Sequence, residues 1–319
     1  MSMGENGTAV SEARPPAREE APPASRDEAR TAPREERPPA GATRPAPGPV
    51  RHLTRLLASE IGLTFRRPRN LAMLGVLAVV PVVVGIAVRV ASDGDAGGSI
   101  IGQIAGNGLM LTFAAFVVMM PIVLPLTVAV VAGDAIAGEA AQGTLRYLLV
   151  APAGRTRLLL VKYANIVVFC LAACALVAVS ALVTGLVLFP VGPVTLLSGT
   201  TIPAADALLR VGVVVLYAAA GMAALGAVAL AVSTLTEAPI GAVATSVVLV
   251  VVSQVLSAIP QVAAVRPVLL TWWWSAFDGA LRAPMAFDEM GRGLFAFAAY
   301  VLVFGSFAWS RFTSKDITA

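Results

Sequence analysis

The chain has 319 residues, of which 57% are hydrophobic and only 13% are charged, and its mean hydropathy is +0.82. Soluble domains carry about a quarter charged residues, so this composition excludes a single water-soluble globule and favours a protein dissolved in a lipid bilayer. The net charge of +4 arises from 23 basic and 19 acidic residues, a balance that gives no reason to expect nucleic-acid binding.

The residue inventory also excludes several kinds of site. His52 is the single histidine, so a histidine metal cluster and an H-E-x-x-H motif are impossible, and we expect no metal site. The only lysines, Lys162 and Lys315, follow no glycine-rich phosphate loop, which excludes a P-loop ATP site. Cys170 and Cys174 lie four residues apart in one apolar run, where packing as small hydrophobic side chains is the simplest interpretation.

Residues 1–49 form a segment of different composition, rich in Pro, Ala, Arg and Glu and almost without large apolar side chains. Such a segment cannot bury enough apolar surface to offset its ordering entropy, so we predict a disordered cytoplasmic tail. A proline-rich docking tail is the alternative. We therefore divide the chain into this tail and a membrane domain over residues 50–319.

Residues 50–66, VRHLTRLLASEIGLTFR, have the apolar period of a helix. The predicted apolar side consists of Leu53, Leu56, Leu57, Ile61 and Phe65. The predicted polar side consists of Arg51, Arg55, Ser59 and Glu60. A short amphipathic helix with arginines beside a membrane span is typical of a helix that lies flat in the membrane interface.

Six apolar runs follow, each able to supply the ~20 residues that cross a hydrocarbon core of ~30 Å. They cover 70–91, a run from either Ile100 or Leu109 to Gly133, 158–189, 208–231, 240–259 and 293–310. The predicted fold class is therefore an all-α integral membrane protein with six transmembrane helices. Pro121 and Pro125, four residues apart in the second run, are predicted to kink that span.

Basic residues in short loops predict the orientation of the spans. With the N-terminus inside, the inner segments hold Arg51, Arg55, Arg66, Arg67, Arg69, Arg146, Arg155, Arg157, Lys162, Arg311 and Lys315. The outer segments hold Arg266, Arg282 and Arg292. This asymmetry predicts that both termini lie in the cytoplasm. The bias towards Ala, Arg, Gly and Val is typical of a GC-rich bacterial genome, so the expected location is a bacterial cytoplasmic membrane.

The segment between the second and third spans, GEAAQGTLRYLLVAPAGRTRLLLVKY over 138–163, interrupts the apolar pattern. Gly143 loosens the backbone, and the Thr144 hydroxyl can cap a new short helix by accepting from an N–H ahead of it. Pro152 and Gly154 would end this helix. Its leucine face would consist of Leu145, Leu148 and Leu149. Leaving that face in water is unfavourable, so we expect another protein to cover it.

The segment before the last span, RPVLLTWWWSAFDGALRAPMAFDEMGRG, contains Trp272, Trp273 and Trp274. Tryptophan prefers the headgroup level of a membrane. The predicted helical stripe consists of Val268, Leu269, Trp272, Trp273, Ala276, Phe277 and Leu281. These features predict a short interfacial or re-entrant helix at the outer leaflet, with a simple aromatic anchor as the alternative.

The 138–163 segment resembles the first cytoplasmic loop in the membrane subunits of ATP-binding-cassette exporters of the type-2 class, the ABC-2 type permease family. The similar pattern is Glu, Gly-Thr-Leu, Leu-Leu, Pro, Arg and Lys, in this order. The N-terminal amphipathic helix, the six spans, the outer helical element and the closing RFTSKDITA are similar as well, so the resemblance covers residues 50–319 and leaves out the tail.

The resemblance implies a transport subunit that is not itself an enzyme, since a separate ATPase dimer would bind ATP and Mg²⁺ and receive the short loop helix in a groove. The residues implied in that contact are Glu139, Gly143, Thr144, Leu145, Leu148, Pro152 and Arg155. The helix Arg51–Phe65 would be the neighbouring connecting helix. A second permease copy or a paralogue would complete a path lined largely by the second and fifth spans. Lipids, hydrophobic peptides and drugs stay open as substrates.

Three other interpretations stay open. An ordinary connector with inside-positive charge would explain Arg155, Arg157 and Lys162, but not Glu139 or the leucine face. A self-contained secondary transporter or channel would need ionisable residues in mid-span and inverted repeats, and neither is visible in the six runs. A membrane assembly factor without transport would keep the interaction loop and need no path.

Overall fold

The structure is a computed structural model that describes residues 49–92, 102, 106–143, 154–190, 192–195 and 199–314. Of the predicted tail over 1–49, residues 1–48 therefore lie outside the described residues. The α-helices are α1 (Pro49–Arg66), α2 (Pro68–Ser92), α3 (Met110–Met119), α4 (Val123–Ala141), α5 (Arg155–Leu188), α6 (Ala204–Leu235), α7 (Pro239–Ala258) and α8 (Phe287–Ser314). Two 3₁₀-helices, η1 (Pro260–Val268) and η2 (Leu270–Leu281), and two short strands, β1 (Val194–Thr195) and β2 (Thr201–Ile202), complete the described elements.

Six of these helices are long and apolar enough to cross a membrane: α2, α4, α5, α6, α7 and α8. This confirms the predicted number of spans within the part of the chain that the structure describes. The apolar windows of α2, α7 and α8 are each only 17% buried inside the chain. Such wide apolar surfaces require lipid or another protein as their surroundings.

Helix α6 is the centre of the bundle, since 78% of its apolar window is buried. It packs against α4, α5, α8 and η2. Its sequence YAAAGMAALGAVALA is rich in small residues, which let neighbouring helices approach closely. At Gly221, for example, an added Cβ would stand 3.0 Å from Trp274 and 3.1 Å from Phe297, so two aromatic rings fill the space of a side chain.

The second predicted span is two helices, α3 and α4, rather than one kinked helix. Ile122, with φ of −133°, lies in the break between them, directly after Pro121. Pro125 is the third residue of α4, where a backbone N–H has no partner within the helix, so the prediction that it kinks the span is wrong. Helix α4 also continues to Ala141, beyond the predicted end at Gly133.

One end of the bundle, which we call the tryptophan end, comprises the described residues of 106–109, 189–203 and 259–286. Asn107 organises its first part, because its Nδ2 donates to Gly192 O at 2.9 Å and to Pro193 O at 3.1 Å. The strands β1 and β2 pair antiparallel next to this contact, with Val194 opposite Ile202. The opposite end, the basic end, comprises α1, the N-termini of α2 and α5, and the C-termini of α4 and α8.

The segment around the tryptophans, predicted as one short helix, forms the two 3₁₀-helices η1 and η2. Within η2, Trp272 is 40% exposed, whereas Trp274, outside the predicted stripe, is 3% exposed. Two side chains of α6 anchor η2. Tyr217 Oη of α6 donates to Trp273 O at 2.7 Å, and Arg210 of α6 donates to backbone carbonyls at the end of η2.

Candidate functional site at the basic end

Three elements meet at the side chain of Lys162, in the second turn of α5. Its Nζ lies 2.9 Å from Glu60 Oε1 of α1 and 3.0 Å from Glu139 Oε1 of α4. The three side chains are only 7%, 17% and 21% exposed, in the order Lys162, Glu60 and Glu139. A buried ammonium is unfavourable without a counter-charge. The two carboxylates supply that charge and join α1, α4 and α5 at one point, which we call the Lys162 cluster.

Glu60 faces the bundle, which corrects the prediction that it lies on the polar side of α1 away from the core. The bundle-facing side of α1 also carries Thr64 and Phe65. The Thr64 hydroxyl accepts a hydrogen bond from Asn165 Nδ2 at 2.7 Å, and the ring of Phe65 lies 5.8 Å from that of Phe169. From the helical period alone, Glu60 was predicted to share a side of α1 with the arginines. In the structure it points towards the bundle, where it pairs with Lys162 of α5.

The other predicted residues of α1 divide between two environments. Leu57 and Ile61 are half-buried beside Glu60. Leu53 and Leu56 are 38% and 39% exposed, and Arg55 is exposed as predicted. Arg51 lies within α1. The helix therefore keeps an exposed leucine pair beside its arginine, which is the composition expected at a membrane interface.

A second ionic contact lies at the start of α2. Asp134 Oδ2 of α4 accepts from Arg67 Nη1 at 2.7 Å and from Arg69 Nη2 at 2.9 Å. The Asp134 side chain is 11% exposed, whereas those of the two arginines are 45% and 50% exposed. Two of the arginines that were expected simply to face the membrane surface thus also fix α2 to α4.

Ser233 of α6 bonds three backbone groups of α4 close to these ion pairs. Its Oγ accepts from Ile136 N at 3.1 Å and from Ala137 N at 2.9 Å, and it donates to Gly133 O at 2.7 Å. Ser233 is fully buried. Through these three bonds, α6 holds the last two turns of α4 in addition to the hydrogen bonds of the helix itself.

The structure describes the flanks of the predicted loop helix. Gly143 follows α4 with φ of 69°, and Gly154 precedes α5 with φ of 72°, conformations that strongly favour glycine. Arg155 Nη1 donates to Thr313 O of α8 at 2.8 Å. Glu139 lies in the Lys162 cluster. Four of the predicted contact residues lie outside the described residues, namely Thr144, Leu145, Leu148 and Pro152.

Three of the residues that organise this end were not predicted from the sequence: Glu60 as a bundle-facing carboxylate, Asp134 as an arginine partner and Ser233 as a hydroxyl that bonds the backbone of α4. The Lys162 cluster could have been predicted from the sequence. Lys162 is one of two lysines in the chain, and it stands one helical turn inside an apolar run, where a charged side chain calls for a buried partner.

Comparison with known proteins places the chain in a family. No curated protein matches the chain. A family model described as a protein of unknown function (DUF2705) matches residues 96–318. The matched region contains α3 to α8, including Glu139 and Lys162, and leaves out α1 and α2. Because this region is well over half of the chain, the protein belongs to the DUF2705 family of proteins of unknown function.

Proposed function

We propose that the chain is the permease subunit of an ABC exporter of the type-2 class in a bacterial cytoplasmic membrane, with both termini in the cytoplasm. In this proposal the chain forms the substrate path. A separate ATPase dimer binds ATP and Mg²⁺ and contacts the permease through the segment 144–153. The chain performs no hydrolysis of its own.

The observation that carries the proposal is the Lys162 cluster. The segment 144–153 connects the C-terminal end of α4, which carries Glu139, to the N-terminal end of α5, which carries Lys162, and these two side chains are paired at 3.0 Å. Glu60 of α1 joins the same ammonium at 2.9 Å. A displacement of the segment would therefore act on α1, α4 and α5 together, as a coupling loop between a motor and a membrane path requires.

The contact of Arg155 supports the same role. Through its hydrogen bond to Thr313 O, the first residue of α5 is tied to the last turn of α8. The motion of a partner bound at the segment would in this way reach the last span as well. The glycines at 143 and 154, both with positive φ, give the segment defined entry and exit turns.

Exposed apolar surface supports the expectation of a second permease copy or a paralogue. Helix α7, the fifth span, packs on α4 and leaves much of its surface uncovered. The exposed large side chains on α7 include Val248, Leu249, Val251, Val252 and Val255. A path formed between α4 and α7 of two subunits would use this surface.

A self-contained secondary transporter is the second candidate, and the described helices do contain ionisable residues. Asp134, Glu139, Lys162 and Arg210 all lie within candidate spans. Each of them, however, contacts a neighbouring element: Asp134 bonds two arginines, Glu139 and Lys162 bond each other, and Arg210 bonds the η2 carbonyls. This arrangement favours structural ties over a proton or ion relay.

Co-expression with an ABC ATPase, sought first among the reading frames that neighbour this one, tests the proposal. We expect the ATPase to co-purify and its ATP turnover to change when the permease is present. The double variant Leu145→Asp with Leu148→Asp should abolish co-purification, because it places charge on the contact face. Gln142→Asp, which adds one negative charge at an exposed polar position before the segment, is the control, and each single variant, Leu145→Asp or Leu148→Asp, matches it in charge.

Retention of the ATPase by the double variant would overturn the contact through 144–153. Solute movement by proteoliposomes that contain this chain alone, driven by an ion gradient, would favour the secondary transporter. A complex that forms without ATP-dependent solute movement would favour the assembly factor.

A further inference from the structure

A cavity of about 430 Å³ lies at the tryptophan end, beside the break between α3 and α4. Its walls come from α3, the break, α7 and η2. One wall is aromatic and consists of Trp272, Trp274 and Phe277. Volumes of this size accept ligands of a few hundred daltons, and aromatic walls with a few polar groups are typical of such sites.

The lining also contains polar side chains. The lining includes Gln254 and Ser257 of α7, and Thr271, Ser275 and Asp278 of η2. Two contacts hold them in place: Gln254 Nε2 donates to Pro121 O, and Thr271 Oγ1 lies 2.7 Å from Ser253 Oγ. Among the residues that line the cavity, Asp278 is the only one with an ionisable side chain.

The break between α3 and α4 borders this cavity. Pro121 has no N–H to donate to the carbonyl of Val117 four residues earlier, and Val117 lines the cavity. Pro121 also belongs to the lining, and its carbonyl accepts a hydrogen bond from Gln254 Nε2.

Asp278 is only partly compensated by its neighbours. Arg282 Nη2 lies 3.9 Å from Asp278 Oδ2, and Arg282 Nη1 lies 3.9 Å from Glu289 Oε2, so two carboxylates share one guanidinium. Burial raises the pKa of the Asp278 carboxyl above its ordinary value, while Arg282 lowers it and Glu289 raises it. A ligand cation at the cavity wall would supply the missing counter-charge.

The aromatic wall already contacts one cation. The Arg266 guanidinium lies 5.2 Å from the centroid of the Trp272 ring, within the range of a cation–π interaction. Trp274, which is 3% exposed, has no hydrogen-bond partner for its indole N–H among the described residues.

We propose that the cavity binds a lipophilic monocation, with its charge against Asp278 and its apolar body against Trp272, Trp274 and Phe277. The inference that such cations are the exported cargo rests on the proposed export function. The inference that they bind at this site rests on the cavity alone. The chemical class is that of amines, quaternary ammonium and phosphonium ions with aromatic or aliphatic groups.

Two probes of the same shape and opposite charge test the proposal, tetraphenylphosphonium and tetraphenylborate. Binding is measured on the full chain in lipid nanodiscs without any ATPase, with empty nanodiscs subtracted. We expect the phosphonium to bind at least about tenfold more tightly than the borate, since tenfold corresponds to the energy of one modest charge contact. Equal binding, or tighter binding of the borate, would overturn the proposal.

Variants then locate the site. Asp278→Asn should remove the preference for the cation, whereas Asp288→Asn, an exposed carboxylate outside the lining, should keep it. Ser257→Trp should fill the cavity and reduce phosphonium binding at least about tenfold, while size-exclusion profiles confirm an intact fold. A preference that survives Asp278→Asn would place the cation elsewhere and overturn the assignment.

The binding result and the export result are separable. If the phosphonium binds with the predicted selectivity but no ATPase associates with the chain, the site stands and the export function fails. If the ATPase associates and responds to the chain while the phosphonium shows no selectivity, the export function stands and the monocation site fails.

Discussion

Lys162 Nζ lies 3.0 Å from Glu139 Oε1, although the two residues are 23 positions apart in sequence. This ion pair joins the two ends of the segment between them. The same ammonium binds Glu60, which is 102 positions away. This geometry means that the entry to the segment, its exit and the N-terminal helix cannot move independently without separating buried charges. The ends of three elements thus act as one unit.

Replacing Lys162 should be strongly destabilising. Lys162→Met leaves two carboxylates mostly buried without their cation, and removal of one partner from a buried ion pair costs about 3–5 kcal/mol. We expect a marked loss of thermal stability in detergent, measured by scanning fluorimetry. Arg157→Met, an exposed cation on the same helix, is the control and should change little.

Adding Glu60→Gln and Glu139→Gln to Lys162→Met should recover much of that stability, because the buried negative charge is then gone. An unchanged melting temperature for Lys162→Met alone would mean that the cluster does not hold the three elements together.

Two glycines at the tryptophan end should tolerate no side chain. A Cβ at Gly185 of α5 would overlap the carbonyl oxygen of Gly108, and the reverse holds for Gly108. Gly185→Ala should cost about 1–3 kcal/mol through overpacking. Gly75→Ala, at an exposed position of α2 with nothing within 4 Å, is the matched control and should be neutral or stabilising. Comparable melting temperatures for both variants would contradict this close approach.

Removing the hydroxyl of Ser233 should loosen the end of α4. Ser233→Ala leaves the N–H groups of Ile136 and Ala137 without their buried acceptor, a loss of about 1–3 kcal/mol. Hydrogen exchange at these two amides should accelerate, while exchange in α7 stays the same. Ser257→Ala, whose hydroxyl only donates to Gln254 O, is the control. Unchanged protection at residues 136 and 137 would exclude the role of Ser233.

Binding of tetraphenylphosphonium should weaken as the pH falls. The pKa of Asp278 is raised by burial, lowered by Arg282 and raised by Glu289, and Arg210 of α6 lies nearby at the carbonyls of Ala280 and Arg282. Protonation makes the carboxyl neutral, so the cation contact present above the pKa is lost below it. The loss should begin at a higher pH than for an ordinary carboxyl. Asp278→Asn should bind with no such pH dependence, as measured by titration in nanodiscs.

Most of the helices could be predicted because each depends on its own residues. The six apolar runs satisfy the length and composition of a span independently of their neighbours, and the period of residues 50–66 predicts α1. The same local reasoning failed at Pro125. A proline bends a helix only when it lies beyond the first turn. Because α4 begins at Val123, after the break, Pro125 lies in the first turn and removes no hydrogen bond of the helix.

The number of apolar helices and the place where the apolar pattern is interrupted follow from hydropathy and helical period, which are properties of neighbouring residues. The pairing of the charges follows from the packing of the bundle. Glu60, Glu139 and Lys162 are distant in sequence, and a helix shows no preference for one buried partner until other helices pack beside it. The same holds for the cavity, whose lining comes from α3, the break, α7 and η2, elements that meet only in the folded bundle.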